Sequence, residues 1–397
     1  MPYGFVGDLP LLIELAYDTL WGASAAMAER TAPRREAGHS IDIAEGEDAV
    51  ALAAPDWQAL EARNGAGTAF QTLALAEHAA AAHRRRGDLV RIVVVRENGR
   101  PAVIFPTAIS RFGGLRIIRF LGDPLIQYGD VVAAPGTSTK TIAAAYRAAA
   151  DPRHATLMLL RKVRADARLA PLLAQQSTPI AAQAAPFIDL RAAPKNHARD
   201  ERELRRFRRR LAERDECRFT LLAGEDARRA TIEALALKRA WLAKRGLPSS
   251  VIGNADWDDA IVAMAGDAGL VRVARLSVGG RTAALEVALL HGGRWYAFIG
   301  ARAAEFEKAG PGHVQMAETI AACRDRGVSV YDLLAPSDPY KRTIAHDAVV
   351  LNDYAMALTR VGGIGLALAP LLPSLKRTLT RLPCGVRRIL LRAGGSA

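Results

Sequence analysis

Glu286 is the only charge in ThrAlaAlaLeuGluValAlaLeuLeu, the run from Thr282 to Leu290. Burial in an apolar strand raises a carboxylate's pKa toward the range a general base needs. The same position also suits a carboxylate that faces solvent or pairs with an arginine. Downstream, Gly310-Pro311-Gly312 opens a predicted helix with His313 in its first turn. Unpaired N–H groups and the positive helix end favour an anion there, and glycine lets the anion approach the backbone. His313 is either a phosphate or substrate contact or ordinary polar surface at a helix start. Asp332 lies near the end of the apolar run 328–334, and Ser-Asp-Pro-Tyr-Lys follows from Ser337 to Lys341. Asp332 is either a cleft carboxylate or a structural partner of Lys341 or Arg342. Tyr340 could donate a proton or simply pack, and Lys341 could neutralise developing negative charge.

Other chemistries find no support. There is no Ser-His-Asp spacing, no P-loop and no GxGxxG, which removes common hydrolase and nucleotide-cofactor readings. The cysteines Cys217, Cys323 and Cys384 form no CxxC pair, and the histidines form no HxxxH or HExxH pair. No metal is expected, and cysteine usage points to a reducing, cytoplasmic compartment. The N-terminal apolar run carries Asp8, Glu14 and Asp18 with no basic residue before it, a poor secretory signal. No stretch reaches the ~20 uninterrupted apolar residues of a membrane helix. Val361 to Pro373 comes nearest and is followed by the basic stretch Lys376 to Arg392. That tail either docks on the protein or makes a peripheral contact with an anionic membrane at its inner face.

The elements that must position these residues occur twice. With 397 residues the chain suits two domains or one fold repeated. DLVRIVVVRENGRPAVIFP from Asp88 aligns without gaps on GLVRVARLSVGGRTAALEV from Gly269. Each reads as two strands joined by a glycine-containing turn, a β-hairpin. Pro135-Gly136 then precedes a helical run to Ala150 and an apolar strand from Thr156. Pro311-Gly312 precedes a helical run to Arg326 and the strand 328–334. Between the halves, residues 198–215 predict a helix with Leu204, Phe207 and Leu211 on one face and arginines, Arg205, Arg206 and Arg209 among them, over the rest. A second helix is expected from Glu225 to Arg245. The formal charge of +13 suits an anionic partner or reflects codon usage alone.

Each half resembles the GNAT acyltransferase fold: helices, an antiparallel hairpin, a further strand, a glycine turn opening a helix, then a strand. The resemblance implies an α/β (α+β) chain built as a tandem duplicated GNAT fold. In it Glu307 to Gly312 takes the place of the family's R/Q-x-x-G-x-G/A motif, keeping both glycines but placing Glu307 where Arg or Gln is usual. From about Ala51 to Tyr354 the chain is similar to the CelD/BcsL cellulose-biosynthesis acetyltransferase family, relatives of the FemAB peptidyltransferases. The matching landmarks are Asp56-Trp57, Leu60, Phe70-Gln71, Phe120-Leu121-Gly122, Tyr128-Gly129-Asp130, Pro311-Gly312, Tyr331-Asp332-Leu333 and Tyr340-Lys341. His313 departs from the aliphatic residue usual there.

The resemblance implies four segments: an N-terminal extension 1–47, a degenerate GNAT-like unit 48–195, a unit with the cofactor motif 196–360, and a basic tail 361–397. It implies acyl-CoA as co-substrate on Gly310, Gly312 and His313, with an amine or hydroxyl of a small-molecule or glycan acceptor of the cell envelope. Glu286, Asp332, Tyr340 and Lys341 would carry the catalysis, and Tyr128 and Arg206 would contact substrate. Two alternatives remain: a FemAB-like transferase using aminoacyl-tRNA, against which no long helical arm is seen, and a non-catalytic binder of a polysaccharide intermediate.

Overall fold

The computed structural model describes residues 29–368 except 31–33, 37–38, 64, 113, 178 and 193–197. Most of the predicted N-terminal extension and basic tail, and His197, lie outside the described residues.

The first half runs β1 (His39–Glu45), α1 (Ala49–Glu61), α2 (Leu73–Arg85), β2 (Leu89–Glu97), β3 (Arg100–Phe112), β4 (Leu115–Phe120), α3 (Thr139–Ala149), β5 (Leu157–Arg164), α4 (Ala170–Gln176) and β6 (Ala181–Asp189). After the arginine-rich α5 (Ala198–Ala212) the same order returns. It runs β7 (Cys217–Leu222), α6 (Gly224–Arg245), α7 (Ala255–Met264), β8 (Val271–Val278), β9 (Arg281–His291), β10 (Arg294–Arg302), α8 (Pro311–Asp325), β11 (Val330–Asp332), α9 (Pro339–Ile344) and β12 (Asp347–Ala357). A last helix, α10, spans Arg360–Leu368.

The two aligned hairpins have the same cause. Asn98-Gly99 and Gly279-Gly280 both adopt positive φ, between the closing pairs Glu97↔Arg100 and Val278↔Arg281. Two left-handed residues in a row make the turn whose twist suits a tight hairpin. With helices on both faces, the strands need not alternate apolar and polar residues. Ile92 to Val95 and Ala283 to Leu289 are accordingly buried throughout.

One continuous sheet holds these strands in the order β1-β2-β3-β4-β5-β12-β6-β11-β10-β9-β8-β7. Only β4–β5 and β10–β11 are parallel among these neighbours. The centre carries an exchange that the sequence pattern does not foretell. The last strand of the second half, β12, pairs with β5 of the first, and the last strand of the first half, β6, pairs with β11 of the second. β12 and β6 then pair with each other.

Side chains extend the junction. Phe70 stands edge-on to Tyr296 at 5.5 Å, and His83 edge-on to Trp257 at 5.1 Å. Arg85 of α2 donates to the Asp256 carbonyl of α7 at 2.7 Å. A single apolar core runs through both halves, from Trp57 to Trp257 to Tyr354. The chain is a tandem GNAT fold in one packed body. No described helix is long and apolar enough to cross a membrane.

Candidate active site

β10 and β11 pair only where Arg294–Tyr296 faces Val330–Asp332. Beyond that β10 continues to Arg302, while the chain leaves β11 toward α9. Two parallel strands that part this way leave an opening, and α8 begins at its rim. The two glycines of the turn have different reasons to be glycine. Gly310 caps α8 at φ 70°, and a Cβ there would lie 2.5 Å from the Phe207 ring of α5. A Cβ on Gly312 would meet nothing within 4 Å. Gly310 is thus fixed by conformation and packing, whereas Gly312 leaves its backbone open to a ligand. Pro311 has no N–H to offer, and the N–H of His313 donates to the Gly310 carbonyl at 3.1 Å. Backbone donors are therefore scarce at this turn.

Cations supplement them. Glu307, at the family's usual Arg or Gln position, accepts from Arg245 at 3.3 Å and Arg302 at 3.4 Å. The substituted carboxylate thus gathers two arginines from elsewhere in the fold. The Trp241 ring has Arg245, Lys238 and Arg302 at 4.3, 4.7 and 5.7 Å from its centroid. Such cation–π contacts fix the cations in place. Burial, and then the neighbouring Arg302, lower the Lys238 pKa. His313 stacks on Phe207 at 5.1 Å and 13°, and chiefly burial lowers its pKa.

Glu286 neither faces solvent nor pairs with an arginine. It is 6% exposed; Trp295 Nε1 donates to one oxygen at 2.8 Å, and the Tyr331 hydroxyl to the other at 2.6 Å. Burial raises its pKa against the pull of Tyr331, Trp295 and Gln315. Burial first, and then the charge of Glu286, push the Tyr331 phenol well above its ordinary value. Tyr340 lies on the surface, 47% exposed, and its phenol is pushed to about 12 by partial burial, Asp338 and Glu286. The carboxylate and two phenols therefore form one electrostatic group. Cys323 is buried beside it, raised to about 12 by burial and then by Glu286, so it is no thiolate at neutral pH. Lys341 is buried and donates to the carbonyls of Leu334 and Pro336 at 3.1 and 3.0 Å. It fastens the chain between β11 and α9.

Asp332 takes other partners than Lys341 or Arg342. Its oxygens accept from the Tyr128 hydroxyl at 2.7 Å, the Leu334 N–H at 3.0 Å and Arg294 at 2.9 Å. Tyr128 comes from the first half, so Asp332 ties the halves together at the base of the opening. Burial and Asp332 push the Tyr128 phenol well above its usual value. The Arg164 guanidinium covers the Tyr128 ring at 4.8 Å. The landmark residues hold this segment: Trp57 Nε1 donates to the Gln71 carbonyl at 3.0 Å, and Gln71 Nε2 to the Tyr128 carbonyl at 2.7 Å. Arg206 pairs with Glu203 at 3.2 Å, and its guanidinium lies 5.5 Å from the centre of the Phe207 ring.

Sequence reasoning passed over Trp241, Lys238, Arg302, Trp295 and Tyr331 as site residues. Trp241 read as an apolar anchor of its helix; Lys238 and Arg245 stand on that same helix, and only Arg302 comes from a strand, β10. Tyr331 and Trp295 carried a signal, since each can place a polar hydrogen inside an apolar strand.

Residues 198–342 match the family model of the acetyltransferase (GNAT) domain. That span contains Glu286, the glycine turn, Asp332 and Lys341. That match supports an acyltransferase of GNAT type. A search of curated proteins finds no match. Among solved structures, the chain is similar to the C-terminal DUF2156 domain of a protein described as a lysylphosphatidylglycerol synthetase from Agrobacterium fabrum, with 14% identity, 80% of this chain and 96% of that one covered, and a TM-score of 0.50. It is also similar to L-PGS from Bacillus licheniformis, at 13% identity, 75% and 91% coverage and a TM-score of 0.49. A tandem GNAT protein from the clavulanic acid biosynthesis pathway matches at 13% identity, 84% and 99% coverage and a TM-score of 0.42.

Proposed function

We propose that this chain moves an acyl group from acyl-CoA to an amine or hydroxyl of a cell-envelope or polysaccharide-related acceptor, as the CelD/BcsL resemblance implies. The observation that carries the reading is the parting of β10 from β11 after Tyr296 and Asp332, together with the unobstructed Gly312 of α8 and the cations Lys238, Arg245 and Arg302 gathered on Trp241 and Glu307. Phosphates of the donor would lie on the Gly312 N–H and these cations, with His313 at the edge. In the reaction the acceptor nitrogen or oxygen bonds to the thioester carbonyl carbon, the C–S bond breaks, and the acceptor's proton must leave. Glu286 is the base in this reading, receiving that proton by way of the phenols of Tyr331 and Tyr340. Asp332 positions Tyr128 and Arg294, and Lys341 positions the chain around Leu334. Units 48–195 and 196–360 with exchanged last strands, a cytoplasmic location, and a peripheral membrane contact through the tail belong to the same proposal.

Gly312→Val tests it. A Cβ there has open space around it, so the fold should persist while a branched group obstructs the phosphates. Calorimetry should find CoA binding in the wild type and none in the variant, with an unchanged melting temperature. A wild type that ignores millimolar CoA would overturn the donor assignment and put aminoacyl-tRNA-dependent transfer first.

A further inference from the structure

A cavity of about 410 Å³ lies at the junction of the halves, lined by Tyr128, Asp130, Arg164, Asp166, Arg168 and Arg294 among others. Its volume is in the range of small-molecule pockets, about 300–1,000 Å³. Its hydrogen-bonding groups are out of balance. The carboxylates are spent. Asp166 accepts from Arg164 Nε and Nη2, each at 2.8 Å. Asp332, behind the wall, accepts from Tyr128, Arg294 and the Leu334 N–H. Asp130 accepts the backbone N–H groups of Val131, Arg168 and Leu169 at 2.8, 2.8 and 3.0 Å.

The guanidiniums are not spent. The Arg164 guanidinium lies 4.8 Å from the centre of the Tyr128 ring, and its Nη1 is buried with no hydrogen-bond partner. Arg294 gives one nitrogen to Asp332 and keeps 22% of its side chain exposed. Arg168 makes no ion pair among the described residues, and only its backbone N–H serves Asp130. A guanidinium has five N–H donors and no acceptor, and leaving such donors buried and unpaired is costly. A cavity with surplus charged donors and saturated carboxylates calls for an acceptor-rich, negatively charged group.

We propose that this cavity seats an oxyanion, a carboxylate or a phosphate, carried by the acceptor. Arg164 and Arg168 of the first half and Arg294 of the second grip it. The term acceptor rests on the transfer reading; the oxyanion site does not. The first half then selects the acceptor, while the second half carries out the transfer. Acceptors lacking an anionic group would leave the surplus donors unpaired and be rejected.

The test is calorimetry of the full chain with glucuronate, glucose 1-phosphate and glucose at millimolar concentration. One or both charged sugars should bind, and glucose should not. Which one binds distinguishes a carboxylate from a phosphate site. Arg168→Gln, which breaks no ion pair, should weaken that binding about tenfold, as expected for one charge-assisted hydrogen bond. Arg164→Lys, which keeps a cation beside Asp166 but loses the planar fork, should weaken it comparably. Equal behaviour of charged and neutral sugars, or unchanged affinity in both variants, overturns the proposal. CoA titrated into the same samples separates the two readings: oxyanion binding without CoA binding sinks the transfer chemistry and leaves this site standing.

Discussion

The two halves share one order of elements and differ at one edge. In the second half, β11 stops at Asp332 and the edge of β10 beyond it stands open. In the first, β4 and β5 pair in parallel at Ile117–Ile118 and Leu157–Met158, and residues 121–131 then take up the edge of β5. Gly129 pairs with β5 through its N–H to the Lys162 carbonyl at 3.0 Å. Lys162 Nζ donates to the carbonyls of Pro124 and Ile126 at 3.3 and 2.8 Å. Asp123 locks the segment with Arg161 at 2.6 Å and Arg119 at 3.1 Å, all three buried. On the function proposed above, filling one strand edge is what would let a GNAT unit keep its sheet without a donor site. The filled half gains a different use, since the same segment delivers Tyr128 to Asp332 of its neighbour.

The largest effect should fall on the open half. Glu286→Gln can keep both local hydrogen bonds: its carbonyl accepts from Trp295, and its amide donates to the Tyr331 oxygen, which accepts as well as donates. The protein should fold and bind CoA, while turnover falls about 10²–10⁴-fold if Glu286 is the base. Turnover within a factor of two of wild type would move the proton to another group.

The filled half should respond in stability instead. Asp123→Asn removes the carboxylate that Arg161 and Arg119 share, and breaking a buried ion pair of this kind costs about 3–5 kcal/mol. Burial alone would raise the Asp123 pKa, but Arg161 and Arg119 outweigh it and hold it at about 2, below the ordinary 3.8. Because the folded value is the lower one, the stabilisation is present above about pH 4 and is lost as pH falls toward 2. Denaturant midpoints across that window should converge for wild type and variant. A constant gap between them would contradict the ion-pair account.

Gly136 provides the counterpart of Gly312 in the filled half. It has φ 82° and open space where a Cβ would stand. Gly136→Ala should cost about 1–2 kcal/mol of backbone strain and leave CoA affinity unchanged. If it weakened CoA binding as Gly312→Val should, the halves would not be divided in function as their edges suggest.

What was legible in the sequence was local. The Asn98-Gly99 and Gly279-Gly280 turns are set by their own residues, so both hairpins and the repeat are readable from the order of residues alone. The helix after Gly312 was legible for the same reason. The exchange of β6 and β12 was not, because strand pairing between distant segments is not written in the local order of residues. Glu286 could be singled out as a lone charge, but its partners come from the neighbouring strand and from β11, far away in sequence. Asp332 was readable as a structural carboxylate, yet its partners are Tyr128 of the first half and Arg294 of β10, not the nearby Lys341. The surplus of arginine donors in the junction cavity arises only when β5 and β10 are brought together.

The smallest effect belongs to α5, the arginine-rich helix between the halves. Its inner face is engaged: Leu211 is buried and Phe207 packs on Gly310 and His313. Three of its outer arginines are matched by carboxylates on the same helix or just beyond it. Arg205 pairs with Glu201 at 3.6 Å, Arg206 with Glu203 at 3.2 Å and Arg209 with Glu213 at 3.4 Å, each pair largely exposed. Exposed pairs at this spacing contribute about 0.3–0.5 kcal/mol each, and salt screens them further. Changing Arg205, Arg206 and Arg209 together to Gln should therefore lower stability by about 1 kcal/mol or less and leave CoA affinity and its salt dependence where they were. Phe207→Ala, on the inner face, should do more, because it removes the ring that seats the glycine turn. If the triple variant instead weakened CoA binding and flattened its salt dependence, the outer face of α5 would belong to the donor site, and the boundary between scaffold and site would run through this helix.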